Sequence, residues 1–412
     1  MWNARITDEQ FTTRHAEGYC TIFVHYWSIF LLPRKFCSFT IAHGQSYSDV
    51  LELSKCNWQY QTYQDCPVPS SRRHTPKQDT RLKMYRQFVI VLAFLLSHNS
   101  TMIVAGLSTT GQVVLVTGAN KGIGKEICRL VAKDPSVSAT ILACRSLERA
   151  QEAMQELQAD GCENLYCVAY DLSKSQEMAP MVRDYIEDNF GRLDVLINNA
   201  AICFNDPTLY GLVEYTPFQQ QVPITIETNF FGTWHLTEAL LPLLLSSKQP
   251  SNAQSPSLII TIASYAGRLA ILKSPDLVQK FISPQLAMPQ LVSLVHEFVA
   301  AVERRGSSTT TTKGDGWPNT AYGLSKLALI AMTRVLARDH DPKRLVCHSV
   351  DPGYCATDQN QNQGTRPAWL GAMTPYKLAT RMEFGVNKKN EHGTDETILS
   401  GQHWFDDQIV EW

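Results

Sequence analysis

The sequence lacks an excess of charge of either sign. Its 37 lysines and arginines nearly balance 39 aspartates and glutamates, which leaves a formal net charge of −2. Nucleic-acid binding needs a basic surface that can neutralise phosphates, so this balance argues against a nucleic-acid partner. The hydrophobic fraction of 44% is high enough for a full core, so overall disorder is not expected.

The sequence also lacks cysteine motifs. Its eleven cysteines form no CxxC pair and show no metal-ligand spacing with histidines. An odd number fits poorly with a complete disulfide framework. We interpret the cysteines as mostly reduced thiols that serve as small apolar residues, and we predict no metal site.

Long hydrophobic runs are scarce, and the N-terminal part has little pattern. Residues 1–83 show neither helical periodicity nor strand alternation, so we predict that residues 1–107 form an N-terminal extension with little order. Residues 84–107 include a leader-like apolar stretch: Met84-Tyr85-Arg86 and the run 88–96 resemble the start of a signal peptide. A polar break at 97–101 makes the run too short for a membrane helix, which needs about 20 residues. Two interpretations stay open, a buried hydrophobic segment or a leader used when translation starts at Met84.

From Gln112 the pattern changes to short β-branched runs separated by helical stretches. This alternation predicts βαβ units, hence an α/β domain over residues 108–412 with a doubly wound parallel sheet, the Rossmann fold. Ligands of such sheets bind at the carboxyl ends of the strands. The predicted strands are 113–117, 140–143, 165–170, 195–198, 258–262 and 345–350.

A glycine-rich turn follows the first of these strands and precedes a helical run. It carries Gly118, Gly122 and Gly124 in GxxxGxG spacing, with Asn120, Lys121 and Ile123 between them. Glycines permit a tight turn and let the backbone approach a pyrophosphate, which then rests on the helix N-terminus. The turn therefore predicts a dinucleotide site.

The end of the second strand indicates which dinucleotide is bound. An enzyme that prefers NAD usually carries an acid here for the ribose hydroxyls, whereas this chain has Arg145. Arg149 and Lys121 can join it around a 2′-phosphate through charge-assisted hydrogen bonds. We therefore predict that the cofactor is NADP or NADPH.

A YxxxK motif supplies the candidate catalytic pair, Tyr322 and Lys326. Residues four apart share a helix face, and a nearby ammonium is expected to lower the pKa of a phenol, which makes a useful proton donor. Ser264 follows a predicted strand, where its hydroxyl can polarise a substrate oxygen, and Asn229 lies in a helical run. A second YxxxK begins at Tyr170 but has no supporting residues, so we interpret it as coincidental.

Together these motifs resemble the short-chain dehydrogenase/reductase family, and within it the NADPH-dependent carbonyl reductases. The resemblance covers about residues 112–412 and implies a catalytic tetrad of Asn229, Ser264, Tyr322 and Lys326, in which Asn229 holds a water in a proton relay. It also implies cofactor contacts from Asp171, Asn199, Pro352, Gly353 and Thr357. One departure is Ala201, where the family has a glycine.

The interval between Ser264 and Tyr322 is unusually long for the family. It holds an insertion at about 268–316 with one amphipathic helical stretch, and it ends in Gly316-Trp317-Pro318 as in carbonyl reductases. In those enzymes a similar insertion covers the surface used for oligomerisation, so the resemblance implies a monomer. It also implies that the insertion forms one wall of the substrate pocket.

These expectations combine into an NADPH-dependent reductase of aldehydes, ketones or quinones. Two alternatives stay open: a retinol- or steroid-type alcohol dehydrogenase of the same family, and a non-catalytic NADP-binding redox sensor. The resemblance implies a cytoplasmic enzyme. Membrane association or entry into the secretory pathway is expected only through residues 88–107.

Overall fold

The computed structural model describes residues 111–204, 215–246, 255–305, 315–380 and 399–412, together with the backbone of three strands near the N-terminus. The leader-like stretch 84–107 lies outside the described residues. The chain divides into two units, residues 1–100 and 101–412. In the first unit β1 (Arg14–Ala16), β2 (Tyr19–Phe23) and β3 (Ser38–Ala42) form an antiparallel sheet in which β2 is central. β3 alternates polar and apolar residues over five positions, which the sequence analysis overlooked, whereas β1 and β2 show no such pattern.

The second unit is built on an eight-stranded sheet, and the predicted parallel α/β fold is confirmed. Across the sheet the strands lie in the order β13 (Gln408–Ile409), β12 (His403–Phe405), β9 (Leu345–Asp351), β8 (Ser257–Ile262), β7 (Val195–Asn198), β4 (Gln112–Thr117), β5 (Val137–Cys144) and β6 (Leu165–Ala169). All neighbouring pairs are parallel except β12 with β13. All six predicted strands are present. They are β4 (Gln112–Thr117), β5 (Val137–Cys144), β6 (Leu165–Ala169), β7 (Val195–Asn198), β8 (Ser257–Ile262) and β9 (Leu345–Asp351).

Helices cover both faces of this sheet, because its central strands are apolar on both sides. On one face Leu115 and Ile259 pack with helices from the middle of the chain; on the other, Val116 and Ile260 pack with the first two helices and the last. The helices are α1 (Gly122–Val131), α2 (Leu147–Ala159), α3 (Ser175–Phe190), α4 (Phe218–Ile226), α5 (Gly232–Ser246), α6 (Pro275–Ile282), α7 (Met288–Arg305), α8 (Ala321–Asp339) and α9 (Ala368–Ala379).

The long interval before Tyr322 contains helices α6 and α7. Trp317 joins them, because its ring lies 5.7 Å from that of Phe298 on α7 and 6.3 Å from that of Phe281 on α6. The Arg305 guanidinium at the end of α7 donates to the Asp315 carboxylate and, at 3.1 Å, to the Trp317 carbonyl. These contacts hold α6, α7 and the segment around Trp317 together.

Two short strands at the edge of the sheet were not predicted from the sequence. β12 (His403–Phe405) pairs with the last three residues of β9, and β13 (Gln408–Ile409) folds back on it. Strands of two or three residues are too short to show alternation, so tertiary pairing alone defines them. A further two-residue pair, β10 (Cys355–Ala356) and β11 (Arg366–Pro367), is also parallel. Among the described residues no helix is long and apolar enough to cross a membrane.

Two buried histidines lie where β9 meets β12: His348 packs against Trp404, and His403 is hydrogen-bonded to Ser349. His348 and His403 are 2% and 8% exposed, and burial lowers the pKa of each to about 4. In the unfolded chain these histidines become protonated near pH 6.5, whereas in the folded chain they become protonated only near pH 4. Their contribution to stability is complete above pH 6.5 and is lost as the pH falls toward 4.

We predict that the free energy of unfolding falls by about 2 kcal/mol per buried histidine between pH 7 and pH 5. His348→Gln should remove its share of that dependence, although it also changes the stability at pH 7. Denaturant titrations of both proteins at the two pH values check this. An unchanged pH dependence in the variant would contradict the assignment.

Candidate active site

The predicted site residues gather at one edge of the sheet. Because the strands are parallel, their carboxyl ends face the same way. Gly118 follows β4, Arg145 follows β5, Asn199 follows β7, and Ser264 lies two residues after β8. The Pro352-Gly353 turn follows β9.

The glycine turn has the geometry of a phosphate cradle. Gly118 and Gly122 have φ of 65° and 55°, and a Cβ on Gly124 would lie 2.4 Å from the Gly118 carbonyl oxygen. Lys121 precedes α1 in an extended conformation, and its side chain does not cap the helix. The first-turn amides are therefore left for an anion.

Asn199 and Thr357 hold this turn from two sides. The Asn199 side-chain amide donates to the Thr117 carbonyl at 2.9 Å. A Cβ on Gly122 would lie 3.2 Å from the Thr357 methyl group. Asn199 thus acts on the cofactor loop by shaping it, and Thr357 borders the same loop.

The three basic residues predicted to surround the 2′-phosphate are exposed. Arg145 and Arg149 lie at and just after the end of β5, with side chains open to solvent. Lys121 forms an ion pair, with its ammonium 3.0 Å from the Asp358 carboxylate. This contact gives Lys121 a partner that the sequence analysis did not anticipate.

Tyr322 lies in the first turn of α8 and faces Ser264. Thr320 caps the helix by accepting from the Gly323 backbone N–H at 2.9 Å. The Ser264 side chain interacts with the Tyr322 hydroxyl and acts to lower the pKa of that phenol. A Cβ on Gly267 would lie 2.8 Å from the Leu327 backbone nitrogen, so only a glycine lets this turn approach α8 so closely.

Lys326 completes the pair from one helical turn further on. Its side chain is buried, with the ammonium 2.7 Å from the Ile262 carbonyl oxygen and 5.5 Å from the centre of the Tyr322 ring. Burial is the main cause that lowers the pKa of Lys326, to about 8. The motif therefore places phenol and ammonium together, as predicted.

The pKa of Tyr322 differs from the expectation. Burial is the largest influence and raises it, whereas hydrogen bonds with Ser264 and Gln359 act in the opposite direction. The prediction that a lysine makes this phenol more acidic is therefore wrong for the chain as folded, because loss of hydration penalises the phenolate more. Tyr322 carries its proton at neutral pH.

Asn229 lies in a π-helical turn, Glu227–Phe231, between α4 and α5. Its side-chain oxygen accepts from the Ile202 N–H at 2.8 Å, and its amide donates to the Ile202 carbonyl at 2.9 Å and to Ser325 at 3.1 Å. Asn229 thus ties the loop after β7 to α8. The water relay implied by the resemblance stays a prediction. Ala201 in that loop does not have a left-handed backbone, so the alanine fits without strain of that kind.

Two further predicted residues have local partners. The Asp171 carboxylate accepts from the backbone N–H and hydroxyl of Ser173 at 3.0 and 2.8 Å and so caps its own turn. The second YxxxK tyrosine, Tyr170, is buried and donates to the Gly232 carbonyl at 2.6 Å. Tyr170 is therefore a structural residue, and the adenine contact of Asp171 stays a prediction.

Three residues near Tyr322 were missed. Gln359 is hydrogen-bonded to both Tyr322 and Cys203, and Asp351 is a buried carboxylate at the end of β9. An acid that ends an apolar strand is a signal that could have been noticed. Nothing in the sequence marks Cys203 or Gln359, since their contacts arise from loop packing.

Comparison with known proteins identifies the family. The profile of the family described as short chain dehydrogenase matches residues 112–275, and that described as Enoyl-(Acyl carrier protein) reductase matches residues 288–383. The chain belongs to the short-chain dehydrogenase family. It is 34% identical over 284 residues to carbonyl reductase [NADPH] 3 of Mus musculus, and 32% identical over 281 residues to carbonyl reductase [NADPH] 1 of Homo sapiens. Each match covers 66% of this chain and 92% of the relative.

Solved structures show the same fold. Salutaridine reductase of Papaver somniferum superposes with a TM-score of 0.55 at 24% identity, covering 65% of this chain and 95% of the other. Menthone neomenthol reductase of Mentha piperita gives 0.54 at 25% identity, covering 73% and 100%.

We predict that Asp358→Asn strengthens NADPH binding by about two- to fivefold, because an exposed ion pair of modest energy no longer holds Lys121. Fluorescence titration of the two proteins with NADPH measures this, with Asp341→Asn as a control of equal charge change. Weaker binding in the Asp358 variant would contradict the competition between Asp358 and the cofactor.

Proposed function

We propose that this enzyme reduces the carbonyl group of aldehydes, ketones or quinones with NADPH. The observation that carries the proposal is the cluster of Ser264, Tyr322 and Lys326: a half-buried, protonated phenol interacts with a serine side chain and lies beside a buried ammonium. Such a cluster can donate hydrogen bonds and a proton to one substrate oxygen.

The residues at the sheet edge fit a dinucleotide phosphate. The uncapped first turn of α1 can receive a pyrophosphate, and Arg145 and Arg149 can bind a 2′-phosphate. Asn120, Ile123, Pro352 and Gly353 border the same edge. NADPH, when bound, supplies a hydride.

The chain's own residues do the remaining chemistry. The Tyr322 hydroxyl gives its proton to the carbonyl oxygen as negative charge develops there, and the Ser264 hydroxyl donates a hydrogen bond to that oxygen. Lys326 stabilises the resulting phenolate with its charge, and burial at the site keeps these interactions strong.

The two alternatives are less well supported. An alcohol dehydrogenase working oxidatively needs Tyr322 as a base, but burial raises the pKa of this phenol and so favours the acid role. A redox sensor without catalysis has no need for a serine and a buried lysine placed beside this tyrosine.

The direct test is NADPH oxidation with a panel of aldehydes, ketones and quinones, paired with NADP reduction by retinol, steroid and simple alcohols. We expect turnover with the carbonyl compounds and slower reaction in reverse at neutral pH. Tight NADPH binding without turnover of any compound would favour the sensor. Faster oxidation of the alcohols would favour the dehydrogenase.

We predict that NADPH binds at least about tenfold more tightly than NADH, a difference of roughly 1.4 kcal/mol. Arg145→Asp should abolish this preference, because it replaces a phosphate ligand by a like charge. Paired titrations with both cofactors measure the ratio. Equal affinities of the unmodified enzyme would contradict the role of Arg145.

A further inference from the structure

Asp351 is an acid in an apolar strand that the proposed reaction leaves unexplained. It is the last residue of β9 and is 8% exposed. Side chains alternate along a strand, and Leu345 and Cys347 pack in the cluster that includes α8, whereas Val346 and Val350 pack on the other face. Asp351 therefore faces the side of the sheet that carries Tyr322 and Lys326.

The Asp351 carboxylate joins two loops of the site. It accepts a hydrogen bond from the Gly353 N–H at 2.9 Å, and the Tyr265 backbone N–H donates another. Gly353 lies in the turn that follows β9, and Tyr265 is the residue directly after Ser264. One side chain thus contacts both the residue next to the catalytic serine and the Pro352-Gly353 turn.

The charge of Asp351 also acts on the catalytic pair. Its presence raises the pKa of both Lys326 and Tyr322, which keeps both groups protonated. Burial raises the pKa of Asp351 itself, and the two backbone donors oppose this by favouring the carboxylate. The ionisable groups that interact with Asp351 are Lys326, Tyr322, Cys355, Arg366 and Asp406.

We propose that Asp351 is a positioning residue of the active site, which holds the Ser264 turn against the Pro352-Gly353 turn and presents a negative charge on the face of the sheet that carries Lys326. Its effect on turnover rests on the proposed function, whereas its effect on Lys326 does not. Asp351→Asn removes the charge and keeps the shape. Asp351→Ser provides a second neutral variant should the asparagine variant fold poorly, and thermal unfolding shows which variants are folded.

The first measurement is an NMR pH titration of Lys326 with ¹³C at lysine Cε, the signal being identified by its loss in Lys326→Met. We expect the midpoint to fall by on the order of one pH unit in a folded neutral variant. Asp406→Asn, which removes an exposed carboxylate from the same neighbourhood, should leave it nearly unchanged. An Asp351 variant with the midpoint of the unmodified chain would overturn the electrostatic role.

The second measurement is the pH profile of kcat with the best carbonyl substrate of the panel. In Asp351→Asn the loss of activity at high pH should begin about one unit lower, and kcat should fall about ten- to a hundredfold while the NADPH dissociation constant changes only a few-fold. A kcat and profile within about twofold of the unmodified enzyme would overturn the positioning role. If the unmodified enzyme reduces no carbonyl compound, the proposed function fails, and the NMR titration still decides the inference about Asp351.

Discussion

The site depends on a buried ammonium held in one place. Lys326 lies inside the domain with its Nζ 2.7 Å from the Ile262 carbonyl oxygen, at the end of β8. A buried charge without a polar partner is costly, so this contact binds α8 firmly to the carboxyl edge of the sheet. Tyr322, one helical turn earlier, is thereby placed opposite Ser264, which follows the same strand.

Burial also sets the protonation states. Desolvation lowers the pKa of Lys326 to about 8 and raises that of Tyr322. Both shifts disfavour the charged form, which is the phenolate for Tyr322 and the ammonium for Lys326. The Asp351 carboxylate opposes the shift at Lys326, because its negative charge raises the pKa of the ammonium. The result is a proton donor and a cation that coexist at neutral pH, which suits reduction of a carbonyl group. The phenolate that reduction leaves behind then has its stabilising charge close by.

Regular features of the fold and site could be predicted because they follow from local rules. The six predicted strands are short apolar runs that contain β-branched residues. A glycine-rich turn between a strand and a helix is typical of a phosphate-binding loop. Residues four apart in a helix share a face, which alone brings Tyr322 and Lys326 together. Parallel strands then carry Ser264 and Arg145 to the same edge.

The remaining features depend on tertiary contacts that leave no periodic signal. Strand β12 has three residues and forms because it pairs with β9. Gln359 reaches Tyr322 from a loop, and Asp358 pairs with Lys121 across more than 200 residues of chain. The direction of the Tyr322 pKa shift was wrong in the sequence analysis, since charge proximity can be read from spacing but depth of burial cannot.

The central claim is that Tyr322 donates the proton. Single-turnover oxidation of NADPH, with and without deuterium at the transferred position, tests it in Tyr322→Phe, which keeps the ring and its packing. Tyr166→Phe is a better control than a change at Tyr170, whose hydroxyl supports the Gly232 carbonyl. We expect a rate lower by at least about 10², with NADPH affinity changed only a few-fold. If Tyr322→Phe kept more than about a tenth of the normal rate, with an isotope effect showing that hydride transfer limits it, Tyr322 would not be the proton donor.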